Sequence, residues 1–386
     1  MPSYDDSSLE LKVGDRLVPL AYAADENHLY LASPVKGTRW PSYILRNGIA
    51  EIIIAENNKK LGAELVSDED MKRKAMDLFI KKYGREKTRK WYGEHYRVIC
   101  LSDMKQEPKG EPPGSQYYRW LEAEFDSIAD EYDHHIYGNP VNSLLRENSL
   151  RLLSKTFPGR ERLLEVGCGT GTETIELLKS GHEIVAVDIS QKMLDAVRKK
   201  AVQEGVSSNL TTFKGNADRI GTLSDELGAH SFNGIYSTFG ALNCVSGIHS
   251  LPEGFHQLLS ERGKLVLGIY NRMCASEILG YIAKFKFRQS LARLKPMAPE
   301  GESRFCIDVY AYTFMEIRNI FQSHFTVDSV YGVPVFIPPS NFSGYVEKFS
   351  RRFSSIKAVD ARIGKIWPFS ILGDHFLTVM TPVGNQ

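Results

Sequence analysis

The sequence predicts an α/β protein in which a small strand-rich domain precedes a parallel sheet covered by helices on both faces. Three observations carry that expectation. Residues 8–101 consist of short extended runs separated by turn residues, the segment MKQEPKGEPPGSQ (104–116) concentrates Pro, Gly and charge, and from residue 118 onward helix-period stretches alternate with short apolar runs.

The bulk composition fits this division. A chain of 386 residues is long for one core and suggests two domains. Apolar residues make up 42% and charged residues 25%, the balance of a chain that folds. A net charge of +1 without any block of like charges argues against a nucleic-acid footprint. The five cysteines are widely spaced and form no metal-ligand pattern, so the expectation is reduced thiols and no metal. The first residues lack the basic flank and apolar core of a signal peptide, and no apolar run is long enough to span a bilayer, so the protein is expected to be cytoplasmic.

In the first domain, the runs LKVGDRLVPLAYA, HLYLAS, AEIIIAE and KLGAELVS read as strands. Two helices are expected. One covers Pro41–Asn47; the other covers Asp68–Lys82, with Ser67 as N-cap and Met71, Ala75, Leu78 and Phe79 on one face. We place split-barrel-like and sheet domains at 1–103 and 118–386, with a connection at 104–117.

In the second domain a helix ends near Phe157. Strand Arg162–Val166, helix Gly171–Ser180, strand Glu183–Val187 and helix Gln191–Glu204 follow. Strands at Thr211–Lys214, Gly234–Ser237 and Lys264–Tyr270, with helix Pro252–Ser260 before the last, bring the sheet to at least five strands. Cys274–Leu294 reads as one basic amphipathic helix, pairing Ile278, Leu279, Ile282, Phe285 and Leu291 with Lys284, Lys286, Arg288, Arg293 and Lys295. A substrate lid, a plain surface helix and a membrane-surface contact all fit that pattern. Late strands are expected at Phe325–Tyr331 and His375–Thr381.

The strongest chemical signal is LLEVGCGTGTETIELL (163–178), where a buried strand runs through Gly167, Gly169 and Gly171 directly into a helix. Glycine there permits a tight turn and close approach of a ligand to the main chain, or simply tight packing. Seventeen residues further on, VAVDIS ends the second strand with Asp188 beside the loop, where a carboxylate can accept hydrogen bonds from both hydroxyls of a ribose. The spacing is G-x-G-x-G, which differs from the dinucleotide fingerprint G-x-G-x-x-G.

With these motifs the region 118–381 resembles class I S-adenosylmethionine-dependent methyltransferases, whose fold is a Rossmann-like seven-stranded sheet. LLEVGCGTG is similar to the family's first motif, which implies that Glu165, Gly167, Cys168, Gly169 and Gly171 face the methionine portion of S-adenosyl-L-methionine. AVDIS resembles the ribose-binding strand, with Asp188 and Ile189 there and Met193 near the adenine. FKGNADRI is similar to the G-D-A segment, with Asn216 where Asp is usual, followed by Ala217; an amide carbonyl still accepts from the adenine amino group. FNGIYSTFGALNCV resembles the fourth-strand motif, with Ser237 at the site, and GDHFLTVMTP the antiparallel seventh strand. FDSIADEYDHHIYGN resembles the lid helix of small-molecule methyltransferases, which implies Tyr132 over the cofactor and Arg146 against its carboxylate. No catalytic residue is diagnostic; His134, His135, Asn243 and Tyr270 are the polar residues expected nearest the pocket mouth, and VYGVPVFIPPSNF (330–342) an apolar wall.

Residues 8–101 resemble the split barrels of flavin- and deazaflavin-dependent reductases, with Lys36, Gly37, Trp40 and Asn47 roughly where such a cofactor binds. Pro41 follows the Trp, and the family's paired glycines are missing. The resemblances together imply methyl transfer to a small-molecule or lipid-like acceptor, with a homodimer possible through the first domain. The alternatives are a bifunctional protein with a working reductase domain, a nicotinamide-dependent oxidoreductase, and a cofactor-binding protein without an acceptor pocket.

Overall fold

The computed structural model describes residues 8–34, 40–54, 57–93, 96–103, 115–296, 307, 309–339 and 353–384, with the side chains of 46–47, 115, 135 and 353–355 outside the description. The chain forms two compact units, Met1–Glu124 with Ser303–Asp308, and Phe125–Glu302 with Val309–Gln386.

The first unit is a closed antiparallel barrel. Strands β1 (Ser8–Val13) and β2 (Arg16–Ala24) form a hairpin at Gly14, whose φ of +59° suits the tight turn. Strand β3 (Leu29–Pro34), helix α1 (Trp40–Asn47), β4 (Ile49–Ile54), β5 (Asn57–Leu65), helices α2 (Glu69–Tyr83) and α3 (Arg85–Tyr92) and strand β6 (Tyr96–Ser102) follow. The barrel closes in the order β1-β2-β3-β6-β5-β4.

The barrel unit differs from the sequence pattern at two places. The N-cap of α2 is Asp68, whose carboxylate accepts from the Met71 amide at 2.7 Å, and Ser67 lies one residue too early to reach it. Helix α3 is additional to the two expected; its eight residues are mostly charged, and Trp91 and Tyr92 anchor it edge-on to Tyr83 and Phe79.

Helix α4 (Ser115–Tyr137), whose first three residues fall inside the segment read as a connection, belongs to the first unit as far as Glu124 and to the second from Phe125, which continues with α5 (Pro140–Thr156). Strand β7 (Arg162–Val166), α6 (Thr172–Lys179), β8 (Glu183–Asp188), α7 (Gln191–Gln203), β9 (Leu210–Lys214), the single turn α8 (Ser224–Leu227), β10 (Phe232–Ser237), α9 (Leu251–Leu258) and β11 (Leu259–Tyr270) form the alternating core. Helices α10 (Ala275–Ala283), α11 (Phe287–Ala292) and α12 (Phe314–Phe321), strand β12 (Phe325–Val333), α13 (Phe353–Ile363) and β13 (His375–Pro382) complete it.

The sheet has seven strands in the order β12-β13-β11-β10-β7-β8-β9, with β13 antiparallel to both neighbours. This is the Rossmann-like arrangement. Its strands bury both faces. Leu164, Val166, Val185, Val187, Leu265 and Leu267 join Phe255 and Phe321 in one cluster, while Leu163, Ile184, Ala186, Tyr236 and Val266 meet Ile175, Leu178, Leu194 and Val197 in another. Sequence order reverses between β7 and β10, which opens a crevice at their carboxyl ends.

The expected continuous helix Cys274–Leu294 is broken. Helices α10 and α11 are separated at Phe285, which adopts φ +57° and is 83% exposed. Arg293 belongs to no basic surface: it is 2% exposed, pairs with Glu277 and with Asp374 at 2.8 Å, and donates to the carbonyl of Asn271 at 2.8 Å. Periodicity sorted it with the lysines because its partners lie elsewhere in the chain. No helix among the described residues is long and apolar enough to cross a membrane.

Breaking a buried pair from one side leaves carboxylates without compensation. Arg293→Met is expected to lower stability by about 3–5 kcal/mol, read as a fall in the urea midpoint of unfolding.

Candidate functional site

Strand β7 ends in the glycine loop. Gly167 and Gly171 have φ of +78° and +80°, and there is no space for a side chain on either. A Cβ on Gly167 would lie 2.4 Å from Ala241 Cβ, and one on Gly171 2.8 Å from Val197 Cγ2. The amides of Gly167 and Cys168 donate to the Val187 carbonyl at 2.8 and 3.2 Å, which fastens the loop to the end of β8.

Asp188, buried at that strand end, is held by backbone donors. The Gly169 amide reaches Oδ2 at 2.8 Å and the Ser190 amide reaches Oδ1 at 2.9 Å. Burial raises its pKa to about 6 even against these donors. Gly215 donates to the Asp188 carbonyl at 3.0 Å, so the turn carrying half-buried Asn216 and Ala217 lies against the same strand end. Met193 is buried in the first turn of α7, which Ser190 caps at 3.1 Å, and Ile189 is half-buried.

Helix α4 closes over this edge through polar contacts. A Cβ on Gly169 would sit 3.6 Å from Tyr132 Cε1. Asp133 accepts from Thr170 Oγ1 and Lys200 Nζ, each at 2.5 Å, and Asp126 accepts from Ser190 Oγ at 2.5 Å and the Lys192 amide at 3.2 Å. Tyr137 donates to Thr172 Oγ1 at 3.3 Å. Reasoning from the sequence missed Asp126, Asp133, Thr170 and Lys200. Nothing in the local patterns of Asp126, Asp133 and Lys200 sets them apart from ordinary helix-surface residues, whereas Thr170 lies inside the glycine loop.

Beneath the loop lies a buried polar cluster. Glu165 accepts from Thr174 and, at 2.9 Å, from Tyr236, and burial together with the neighbouring Glu173 raises its pKa to about 8. Arg146 pairs with Glu173, another residue missed from sequence, and its guanidinium carbon lies 4.3 Å from the Phe239 ring centroid. Its charge is thus matched within the protein, in contrast to the expectation of a cation waiting for a ligand carboxylate. Arg146 Nε and Glu173 Oε1 are buried and unpartnered among the described residues.

Other expected residues are engaged structurally. Ser237 donates its hydroxyl to the Val166 carbonyl at 2.7 Å and stitches β10 to β7. Cys168 is buried, and burial pushes its thiol pKa well up. Asn243 is buried: it donates to the carbonyls of Tyr270 and Tyr310 at 3.2 and 2.5 Å and accepts from the Tyr270 amide. His134 is exposed. In the first unit Trp40 is buried, while Lys36, Gly37 and the side chains of Asn47 and His135 lie outside the described residues, as do 340–342 of the expected apolar wall.

Residues 163–263 match a family described as a methyltransferase domain. The matched stretch contains the glycine loop and Asp188. The tRNA 5-carboxymethoxyuridine methyltransferase of Escherichia coli (strain K12) is 32% identical over 90 residues, 22% of this chain and 34% of the relative, so the match spans about a third of that protein's length. The demethylmenaquinone methyltransferase of Mycobacterium sp. (strain KMS) is 29% identical over 201 residues, 50% of this chain and 76% of the relative. Among solved structures, the geranyl diphosphate C-methyltransferase of Streptomyces coelicolor A3(2) aligns over 72% of this chain and 90% of its own, with 12% identity and a TM-score of 0.41.

Two outcomes follow from this geometry. Gly167→Ala forces a side chain into the left-handed region against Ala241 and is expected to destabilise the protein by about 1–3 kcal/mol in a denaturant titration. Glu165 is raised from 4.5 to about 8, so the folded state holds its proton more tightly than the unfolded state does. Its contribution is full below pH 4.5 and is lost as pH rises through 8. Glu165→Gln should flatten that fall in the stability-versus-pH curve.

Proposed function

We propose that this chain is an S-adenosylmethionine-dependent methyltransferase acting on a small-molecule or lipid-like acceptor. The observation that carries the reading is the Asp188 carboxylate fastened to the glycine loop at the point where the sheet order reverses. A nucleoside fits there: Asp188 takes the ribose hydroxyls, Asn216, Ala217 and Met193 border the adenine, and the loop Gly167–Gly171 with Tyr132 encloses the remainder. The methyltransferase family match over 163–263 covers this set from the loop to the fourth strand, Tyr132 excepted.

When bound, the sulfonium supplies an activated methyl group. The protein then needs to hold the acceptor in line and to exclude water. Helix α4, tied down through Asp126, Asp133 and Tyr137, serves that exclusion. Arg146 acts through Glu173 and Phe239, as a support of the site. The relatives named above act on a tRNA nucleotide and on demethylmenaquinone; a net charge of +1 with no basic block favours the smaller kind of acceptor here. The barrel, 1–103, serves in this reading for pairing of two copies or for presenting substrate.

Calorimetric titration with S-adenosylmethionine, S-adenosylhomocysteine and the nicotinamide dinucleotides tests this reading. Binding of the adenosyl compounds alone is expected, weakened by about 1–3 kcal/mol in Asp188→Ala, the usual loss when a charged acceptor is removed. Binding only to a dinucleotide, or adenosyl affinity indifferent to the substitution, overturns it.

A further inference from the structure

A second cluster occupies the same edge of the sheet, beyond the fourth-strand loop. Tyr270, the last residue of β11, lies directly opposite His375, the first of β13, so the two side chains share one face, with ring centroids 5.4 Å apart. Phe239, just after β10, has φ +55°, a conformation that a bulky residue keeps only where the surroundings impose it. Its ring lies 6.2 Å from the imidazole at an interplanar angle of 19°. Arg146 over Phe239 connects this cluster to the polar group beneath the glycine loop.

His375 is oriented. Its Nδ1 lies 3.2 Å from Asp374 Oδ2, while Asp374 Oδ1 receives Arg293. Burial alone would raise Asp374, but Arg293 and His375 beside it bring its pKa down to about 2. Asp374 is therefore a carboxylate that can only accept, so Nδ1 carries the proton and the lone pair sits on Nε2. Nε2 has no hydrogen-bond partner among the described residues and faces Gly240, where a Cβ would meet Asn243 Oδ1 at 3.3 Å, Nε2 at 3.5 Å and Tyr270 Cβ at 3.9 Å. The imidazole is 13% exposed, enough to meet a bound molecule and too little to be freely solvated. The titratable and charged groups around it are Asp374 and Tyr270, then Arg293, Glu277 and Cys274 behind them, and Arg146 beyond Phe239.

We propose that His375 is the general base of the acceptor site, with Asp374 as its positioning residue, and that the acceptor is a flat ring bearing a phenolic hydroxyl. The inference rests on the methyltransferase reading and narrows its acceptor. The aromatic walls Phe239 and Tyr270 suit a ring, and a base is of use only to an acceptor that must lose a proton. As the phenol oxygen bonds to the methyl carbon, the carbon–sulfur bond of S-adenosylmethionine breaks and the hydroxyl proton passes to Nε2. The products are the methyl ether, S-adenosylhomocysteine and an imidazolium facing the Asp374 carboxylate, which returns its proton to solvent.

The test compares wild type with His375→Asn, using phenol and 4-nitrophenol as probes near pH 8, where only the second is already ionised. Calorimetry with S-adenosylhomocysteine is run alongside. The expected result is unchanged S-adenosylhomocysteine binding, a loss of about 10²-fold or more in the turnover of phenol and a much smaller loss with 4-nitrophenol. The wild-type rate with phenol should also fall toward acid pH with a limb that the variant lacks. In wild type loaded with S-adenosylhomocysteine, the His375 ring resonances, assigned by their absence in the variant, should shift when phenol is added.

Equal losses on both phenols, no loss, or resonances indifferent to phenol overturn the base. Wild type that binds S-adenosylhomocysteine yet methylates neither phenol overturns the acceptor class and leaves the cofactor reading standing. Absence of S-adenosylhomocysteine binding to wild type defeats both. Should the variant itself fail to bind, the resonance shift in wild type decides.

Discussion

A carboxylate held against a loop of glycines is the constraint on which the rest of the second unit depends. For Asp188 to receive the Gly169 and Ser190 amides, strand β8 must end level with β7, and the loop must turn within a space that admits no Cβ at Gly167 or Gly171. Both conditions follow from parallel pairing of β7 with β8 in register from Arg162 opposite Glu183 to Val166 opposite Val187. The two hydrophobic clusters on either face of the sheet hold that register, because a slip by one residue would exchange Leu163 with Leu164 and Ile184 with Val185 between them. Packing is thus the reason that the Asp188 carboxylate is held at the glycine loop.

Electrostatics at this edge follow from the same burial. Glu165 and Asp188 are both raised, since each is removed from water, while Asp374 is lowered because a buried guanidinium stands beside it. The difference lies in the partner: amides and hydroxyls only partly replace solvation, whereas the full charge of Arg293 overcomes its loss. Around the glycine loop the carboxyl groups are thus raised, and at the start of β13 a carboxylate is held low beside an imidazole.

How much of this was legible in the sequence depends on the range of the interaction. The strands and the glycine loop were readable because backbone conformation and apolar runs are local; so was Asp188, whose position is set by the end of a strand. The cap of α2 was misplaced by one residue, because Ser67 and Asp68 are both good caps and only the chain's entry angle chooses between them. The break at Phe285 could not be read, since a Phe with positive φ has no local signature. Asp126, Asp133 and Glu173 escaped notice because their partners lie 64, 37 and 27 residues away, and a carboxylate on a helix carries the same pattern whether it faces water or a buried partner.

The late part of the chain shows the same limit from the other side. GDHFLTVMTP was recognisable as a strand, yet its first two polar residues were read only as its beginning. What gives them a role is antiparallel pairing that brings His375 to Tyr270, together with an arginine 81 residues earlier that holds Asp374. A parallel final strand would present its other end at this edge, with Thr381 and Pro382 in place of Asp374 and His375. The reversed direction of β13 is therefore what delivers an acid and a histidine to the carboxyl end of the sheet, the same edge as the glycine loop, with β11 and β10 between them.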